Sequence, residues 1–125
     1  MFKVDPDTKT ITLHRGDTGP ARFRLTGYTF DARTRVLWTM KDKSGSIIKE
    51  GLYTPDENGR FTVHFKNEDT HYLSPGEDDY DARVAIDPIY DDDGKIINVN
   101  YDEGGQVTTP RDPMKVIIKT TVGQI

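Results

Sequence analysis

The sequence predicts an all-β fold, an antiparallel sandwich of two sheets that is immunoglobulin-like in general form. About eight or nine short strands fill one domain over residues 1–125. Three observations carry this reading. Apolar and polar residues alternate along run after run, the period of strands that keep one face in water. Turn signals rich in Gly, Asp and Asn separate the runs at short intervals. Helical spacing appears in one place, for a single turn.

The first run is Thr10 to His14, with Ile11 and Leu13 on one face. Ala21 to Leu25 follows, with Ala21, Phe23 and Leu25 inward. Val36 to Lys41 then turns Val36, Trp38 and Met40 the same way. Ile47 to Tyr53 reads as a strand of ambiguous register. Phe61 to Lys66 is the clearest case, three large apolar residues alternating with three polar ones. Asn67 to Leu73 predicts the helical turn, stopped by Ser74-Pro75-Gly76. Tyr80 to Ile86 places Tyr80, Ala82, Val84 and Ile86 on one side. Lys95 to Tyr101 is a weaker strand, and Met114 to Val122 closes the series with Met114, Val116, Ile118 and Val122 inward. The first and last few residues read as tails or edge strands.

Between the runs stand Arg15-Gly16-Asp17, Lys43-Ser44-Gly45, Glu57-Asn58-Gly59, Asp92-Asp93-Gly94 and Gly104-Gly105. Asn-Gly and Asp-Gly favour hairpins because both central residues of a type I′ turn need positive φ. Gly16, Gly27, Gly59 and Gly76 are expected to serve backbone geometry. Phe23, Trp38, Phe61, Val63, Phe65, Tyr80, Val84 and Val116 are expected to form the core between the sheets.

At 125 residues, the chain has room for one domain and enough core to fold without a disulfide or metal. Seventeen Lys and Arg against twenty-one Asp and Glu give a net charge of -4, which argues against a general nucleic-acid binder. The lack of cysteine excludes thiol catalysis, iron–sulfur clusters and Cys-ligated zinc. The opening residues lack the apolar core of a signal peptide, and no stretch approaches the ~18 apolar residues of a membrane helix. A soluble domain without membrane or nucleic-acid partners is expected.

Catalytic patterns are lacking. His14, His64 and His71 lie far apart, and Ser44, Ser46 and Ser74 occupy ordinary turns. No HExxH, P-loop or GxGxxG occurs, so no catalytic residue, enzyme activity or cofactor is expected. The acidic stretch Glu77 to Asp93 makes Asp91, Asp92 and Asp93 weak calcium candidates, since calcium takes six to eight oxygen ligands. The EF-hand spacing fails there, and Asp91-Asp92-Asp93-Gly94 reads more simply as a solvated hairpin tip. Arg15-Gly16-Asp17 matches the tripeptide integrins read, but three residues in a turn context are ordinary turn chemistry. Tyr28, Tyr53, Tyr90 and Tyr101 fall near strand ends, where loops could present them as a sugar-stacking platform. A carbohydrate-binding, host-recognition module is therefore the alternative reading.

The order and spacing of several short pieces resemble a known family. Ile11 to Leu13, Arg15-Gly16-Asp17-Thr18 and Ala21 to Gly27 are similar to the opening of the N-terminal domain of upper baseplate proteins from tailed phages of Gram-positive bacteria. Asp56 to Val63 resembles that family's acidic-x-Gly-x-Phe hairpin. Asp69-Thr70-His71-Tyr72-Leu73-Ser74-Pro75-Gly76, followed by Tyr80, resembles its Asp-Thr-x-x-Leu-x-x-Gly-x-Tyr segment. Asp93-Gly94, Val107 to Pro110 and Met114 to Ile118 fit its closing hairpin and last strand. Two departures stand out: Glu77-Asp78-Asp79 alters the tyrosine spacing, and members usually continue into a coiled coil or receptor-binding region. The resemblance implies a non-enzymatic phage or prophage virion component, assembled in the host cytoplasm and built into the tail baseplate. There it would dock on the distal tail protein and position a receptor-binding protein, with a homo-oligomer possible in the assembled particle.

Overall fold

The computed structural model describes residues 2–120. Among them are eleven strands: β1 (Lys3–Val4), β2 (Ile11–His14), β3 (Gly19–Arg24), β4 (Thr34–Lys41), β5 (Ile47–Tyr53), β6 (Arg60–Phe65), β7 (Gly76–Ile86), β8 (Pro88–Tyr90), β9 (Ile96–Val99), β10 (Gln106–Thr108) and β11 (Met114–Lys119). A four-residue helix α1 (Asn67–Thr70) fills the expected helical turn, and a single 3-10 turn covers Tyr101–Glu103. The short strands β1, β8 and β10 add to the expected set, because two or three residues cannot display an alternation. The expected inward Val122 lies outside the described residues.

The fold is an all-β sandwich. Its larger layer runs β1-β2-β11-β7-β4-β5, and β10 also pairs with β7. The eleven-residue strand β7 is the spine. One side of it pairs with β4 from Thr34↔Ile86 to Lys41↔Asp79; on the other, β11 takes Gly76–Tyr80 and β10 takes residues 84–86. Pairing is antiparallel except between β11 and β2, which run parallel from Val116↔Ile11 to Lys119↔His14. That pairing joins distant ends of the sequence, which no local turn signal announces. The second layer is the antiparallel pair β3-β6, and β8-β9 forms a separate hairpin.

The alternation decides which faces meet. In β4 the buried positions are Thr34, Val36, Trp38 and Met40, the phase read from the sequence. Val36, Trp38 and Met40 pack with Ile11, Leu13, Tyr80, Val116 and Ile118 of the same sheet against Ala21, Phe61, Val63 and Phe65 of the small one. Trp38 is fully buried, edge-on to Phe65 at 5.7 Å and 5.3 Å from Tyr80 between centroids. Burying such side chains supplies roughly 1.5–3 kcal/mol each, the main force closing the layers. Phe23 is only partly buried against this core, and Val84 is fully buried but outside the cluster.

Three loops share one device. In Asp42–Ser46, Asp56–Arg60 and Asp91–Lys95 the leading aspartate's Oδ1 accepts the backbone N–H groups two and four residues on. Its backbone N–H donates to the carbonyl of the fifth residue, and the glycine N–H donates back to the aspartate carbonyl. Among the central residues only the glycines have positive φ, so the expected type I′ turns are absent. The loops instead take the three-residue form in which a left-handed glycine follows a tight turn, with aspartate satisfying the exposed N–H groups. For Asp42, the Ser44 hydroxyl and then the Ser46 N–H hold the carboxyl below its ordinary range.

Candidate functional site

The sequence-predicted candidates separate in space or are consumed by structure. Gly16 donates its N–H to Thr70 Oγ1 at 3.0 Å and accepts from Asn67 Nδ2 at 3.1 Å, so α1 grips the turn between β2 and β3. Asp17 Oδ2 accepts the His14 N–H at 3.0 Å. Arg15-Gly16-Asp17 is thus half-buried and tied into the fold. His14 neighbours Asp17 at 3.7 Å, and His71 Nδ1 lies 3.2 Å from the Asn67 carbonyl. Asp91 spends one carboxylate oxygen on closing its loop, while Asp92 and Asp93 are exposed. Among the described residues no three His, Cys, Asp or Glu side chains are grouped to hold a metal ion.

The four candidate tyrosines sit on different elements, and no two of them are in ring contact among the described residues. Tyr28 packs near Phe30 and shares a 2.8 Å hydrogen bond with Thr108 Oγ1. Tyr53 turns inward to Phe61 at 5.6 Å. Tyr90 and Tyr101 are exposed.

Two features that the alternation could not announce dominate the surface. The first is an arm. After β7 the chain bends at Asp87, a non-glycine residue with φ of 55°. The Asp87 N–H donates to the Arg33 carbonyl and its own carbonyl accepts from Asn100, both at 2.9 Å. Arg33 Nη1 adds a 3.2 Å hydrogen bond to the Glu103 carbonyl. These contacts clamp the root of β8-β9, which pairs with no other strand among the described residues. On the arm and its root Ile89, Tyr90, Ile97 and Tyr101 are exposed, Ile97 to 64% and Tyr101 to 69%. Residues 87–103 carry six carboxylates against one lysine.

The second feature is a cleft of about 890 Å³ where the two-stranded layer fails to cover the larger sheet. Phe23, Trp38, Phe61 and Tyr80 form its aromatic wall, and it continues past Lys9 on one side to Arg111 and Met114 on the other. Tyr80 Oη donates to the Lys9 carbonyl. Burial raises the phenol's pKa well above its ordinary value, opposed by the nearby Arg111. Sequence reading missed the cleft because its residues come from six separate segments, each unremarkable alone.

No family model matches the chain, and neither curated proteins nor solved structures return a significant match.

Proposed function

We propose that the chain is a non-enzymatic structural protein of a phage or prophage tail, which docks on the distal tail and positions receptor-binding components. Its sequence pieces support this reading by their resemblance to upper baseplate N-terminal domains. The observation that carries the docking role is the acidic arm at residues 87–103, with Ile89, Tyr90, Ile97 and Tyr101 left in water. Monomers rarely expose large apolar side chains together without a partner to cover them. An apolar arm rimmed by carboxylates fits a partner face that is apolar at its centre and carries lysine or arginine around it. The neighbouring distal tail protein is assigned that face, and the tail baseplate is the site of action.

The test is capture of the distal tail and adjacent baseplate proteins by the tagged chain, with an Ile97→Asp/Tyr101→Asp variant beside it. Both positions are exposed, so the variant is expected to keep its melting temperature and lose the partner. Capture unchanged by the variant would remove the arm from the interface. Absence of the chain from purified virions whose genome encodes it would remove the whole reading.

A further inference from the structure

We propose that the cleft between the two layers is a binding site for an organic anion, a molecule with an apolar body ending in a carboxylate or phosphate. The inference stands apart from the arm and from the identity of the arm's partner. Two independent observations converge on it.

The charge is sorted. The chain has more acids than cations, yet of the seventeen residues lining the cleft five are cationic and none is acidic. The cations are Lys9, Arg22, Arg24, Arg60 and Arg111, and none of them is in an ion pair among the described residues. Lys9 bonds the Pro6 carbonyl and Arg24 Nε bonds the Asn58 carbonyl, neutral acceptors that leave their positive charge unpaired with a carboxylate among the described residues. Cations around a concave, low-dielectric wall focus a field that attracts anions. Arginine in particular offers paired N–H groups that match carboxylate or phosphate oxygens.

The wall is apolar and continuous. Ring centroids run from Phe61 to Phe23 at 5.4 Å, from Phe23 to Tyr80 at 5.6 Å and from Tyr80 to Trp38 at 5.3 Å. A volume of about 890 Å³ falls inside the range that small-molecule sites occupy. Trp38 is among the lining residues and is itself fully buried behind its ring neighbours.

Trp38 is also the only tryptophan, so its emission reports occupancy directly. The full chain is titrated with 4-phenylbutyrate and decanoate, which separate an aryl from an alkyl body. 4-Phenylbutyl phosphate separates phosphate from carboxylate, and 4-phenylbutanol and 4-phenylbutylammonium serve as neutral and cationic counterparts. A saturable change in Trp38 emission with one or more of the anions is expected, at least roughly tenfold tighter than with the alcohol and weakened by added salt. The ammonium compound is expected to leave the emission unchanged. In an Arg22→Gln/Arg60→Gln variant, both positions being exposed, the preference for anion over alcohol should collapse while the alcohol's own affinity stays constant. A merely structural role for those arginines would not move that ratio. Equal affinity for anion and alcohol, or no response to any of the anions, would overturn the proposal. So would an acidic peptide that binds where the small anions do not.

Discussion

Tyr80 on the central strand β7 donates its phenolic hydrogen to the backbone carbonyl of Lys9, a residue held at a positive φ of 62° in the loop between β1 and β2. That loop closes on itself. Asp5 Oδ1 accepts from Asp7 and Thr8 at 2.8 and 2.9 Å, and the Asp5 N–H donates to the Thr10 carbonyl. One hydrogen bond therefore ties the spine of the large sheet to its edge hairpin. Removing the hydroxyl leaves the part-buried Lys9 carbonyl without that donor. Tyr80→Phe should cost about 1–2 kcal/mol, read as a lower midpoint in urea denaturation with an unchanged slope. An unchanged midpoint would mean that the two groups do not bond in solution.

The same phenol predicts how stability falls in alkali. Burial raises the Tyr80 pKa well above its ordinary value, with Arg111 opposing, and burial together with Asp69 raises Tyr53. A folded pKa above the unfolded one adds stability that is whole below the unfolded value, near pH 10, and is lost as pH climbs toward the folded value. In that window the unfolded chain releases the proton and the folded chain keeps it. Tyr80 alone should contribute a decline of about 1.4 kcal/mol per pH unit. Denaturation of the wild type and Tyr80→Phe from pH 9 to 12 measures this as a difference, so titrations common to both cancel. Parallel curves would sink the argument.

How much of this was legible beforehand depends on range. The period-two alternation identified the inward phases of β2, β4, β6 and β7, because a side chain's face follows directly from its position in a pleated strand. Trp38, Phe61, Val63, Phe65, Tyr80 and Val116 are all buried as that pattern requires. Phe23 escapes full burial because it stands where the small layer ends and the cleft begins. The parallel β2-β11 pair was invisible, since nothing local records a contact between residues a hundred positions apart. Turn dipeptides marked the β4-β5 and β8-β9 hairpins, but Asn58-Gly59 joins β5 to β6 in different sheets, and the leading aspartates decide the geometry of all three loops. The cleft was hidden for the same reason as the parallel pair: Lys9, Arg22, Arg60 and Arg111 become neighbours only when the layers stack.

Two glycines with nearly the same backbone offer a controlled comparison. Gly45 has φ of 88° and Gly59 has φ of 79°, so alanine at either carries a similar backbone penalty. Around Gly45 an added Cβ would meet nothing within 4 Å. At Gly59 it would fall 2.3 Å from the Leu25 carbonyl oxygen and 2.6 Å from the Phe30 ring. That carbonyl cannot retreat easily, because the Leu25 N–H is bonded to the Gly59 carbonyl at 2.9 Å. Gly45→Ala should cost about 1 kcal/mol and Gly59→Ala at least about 2 kcal/mol more. Thermal melts of the two variants side by side decide the matter, and equal losses would show that the β3-β6 end is looser than described.

Trp38 bears the largest single share of the core. It is fully buried between Phe65 and Tyr80, and nothing of comparable volume can move into its place without disturbing both layers. Trp38→Ala should cost roughly 3–5 kcal/mol, a third or more of the stability of an ordinary domain. Trp38→Phe should cost much less. It keeps a ring between the same two neighbours, and it deletes an indole N–H that has no acceptor among the described residues, so no bond between them is broken by its loss. Far-UV circular dichroism during urea denaturation follows both variants without relying on the missing fluorophore. Equal losses from alanine and phenylalanine would show that a ring between Phe65 and Tyr80 is not what Trp38 contributes.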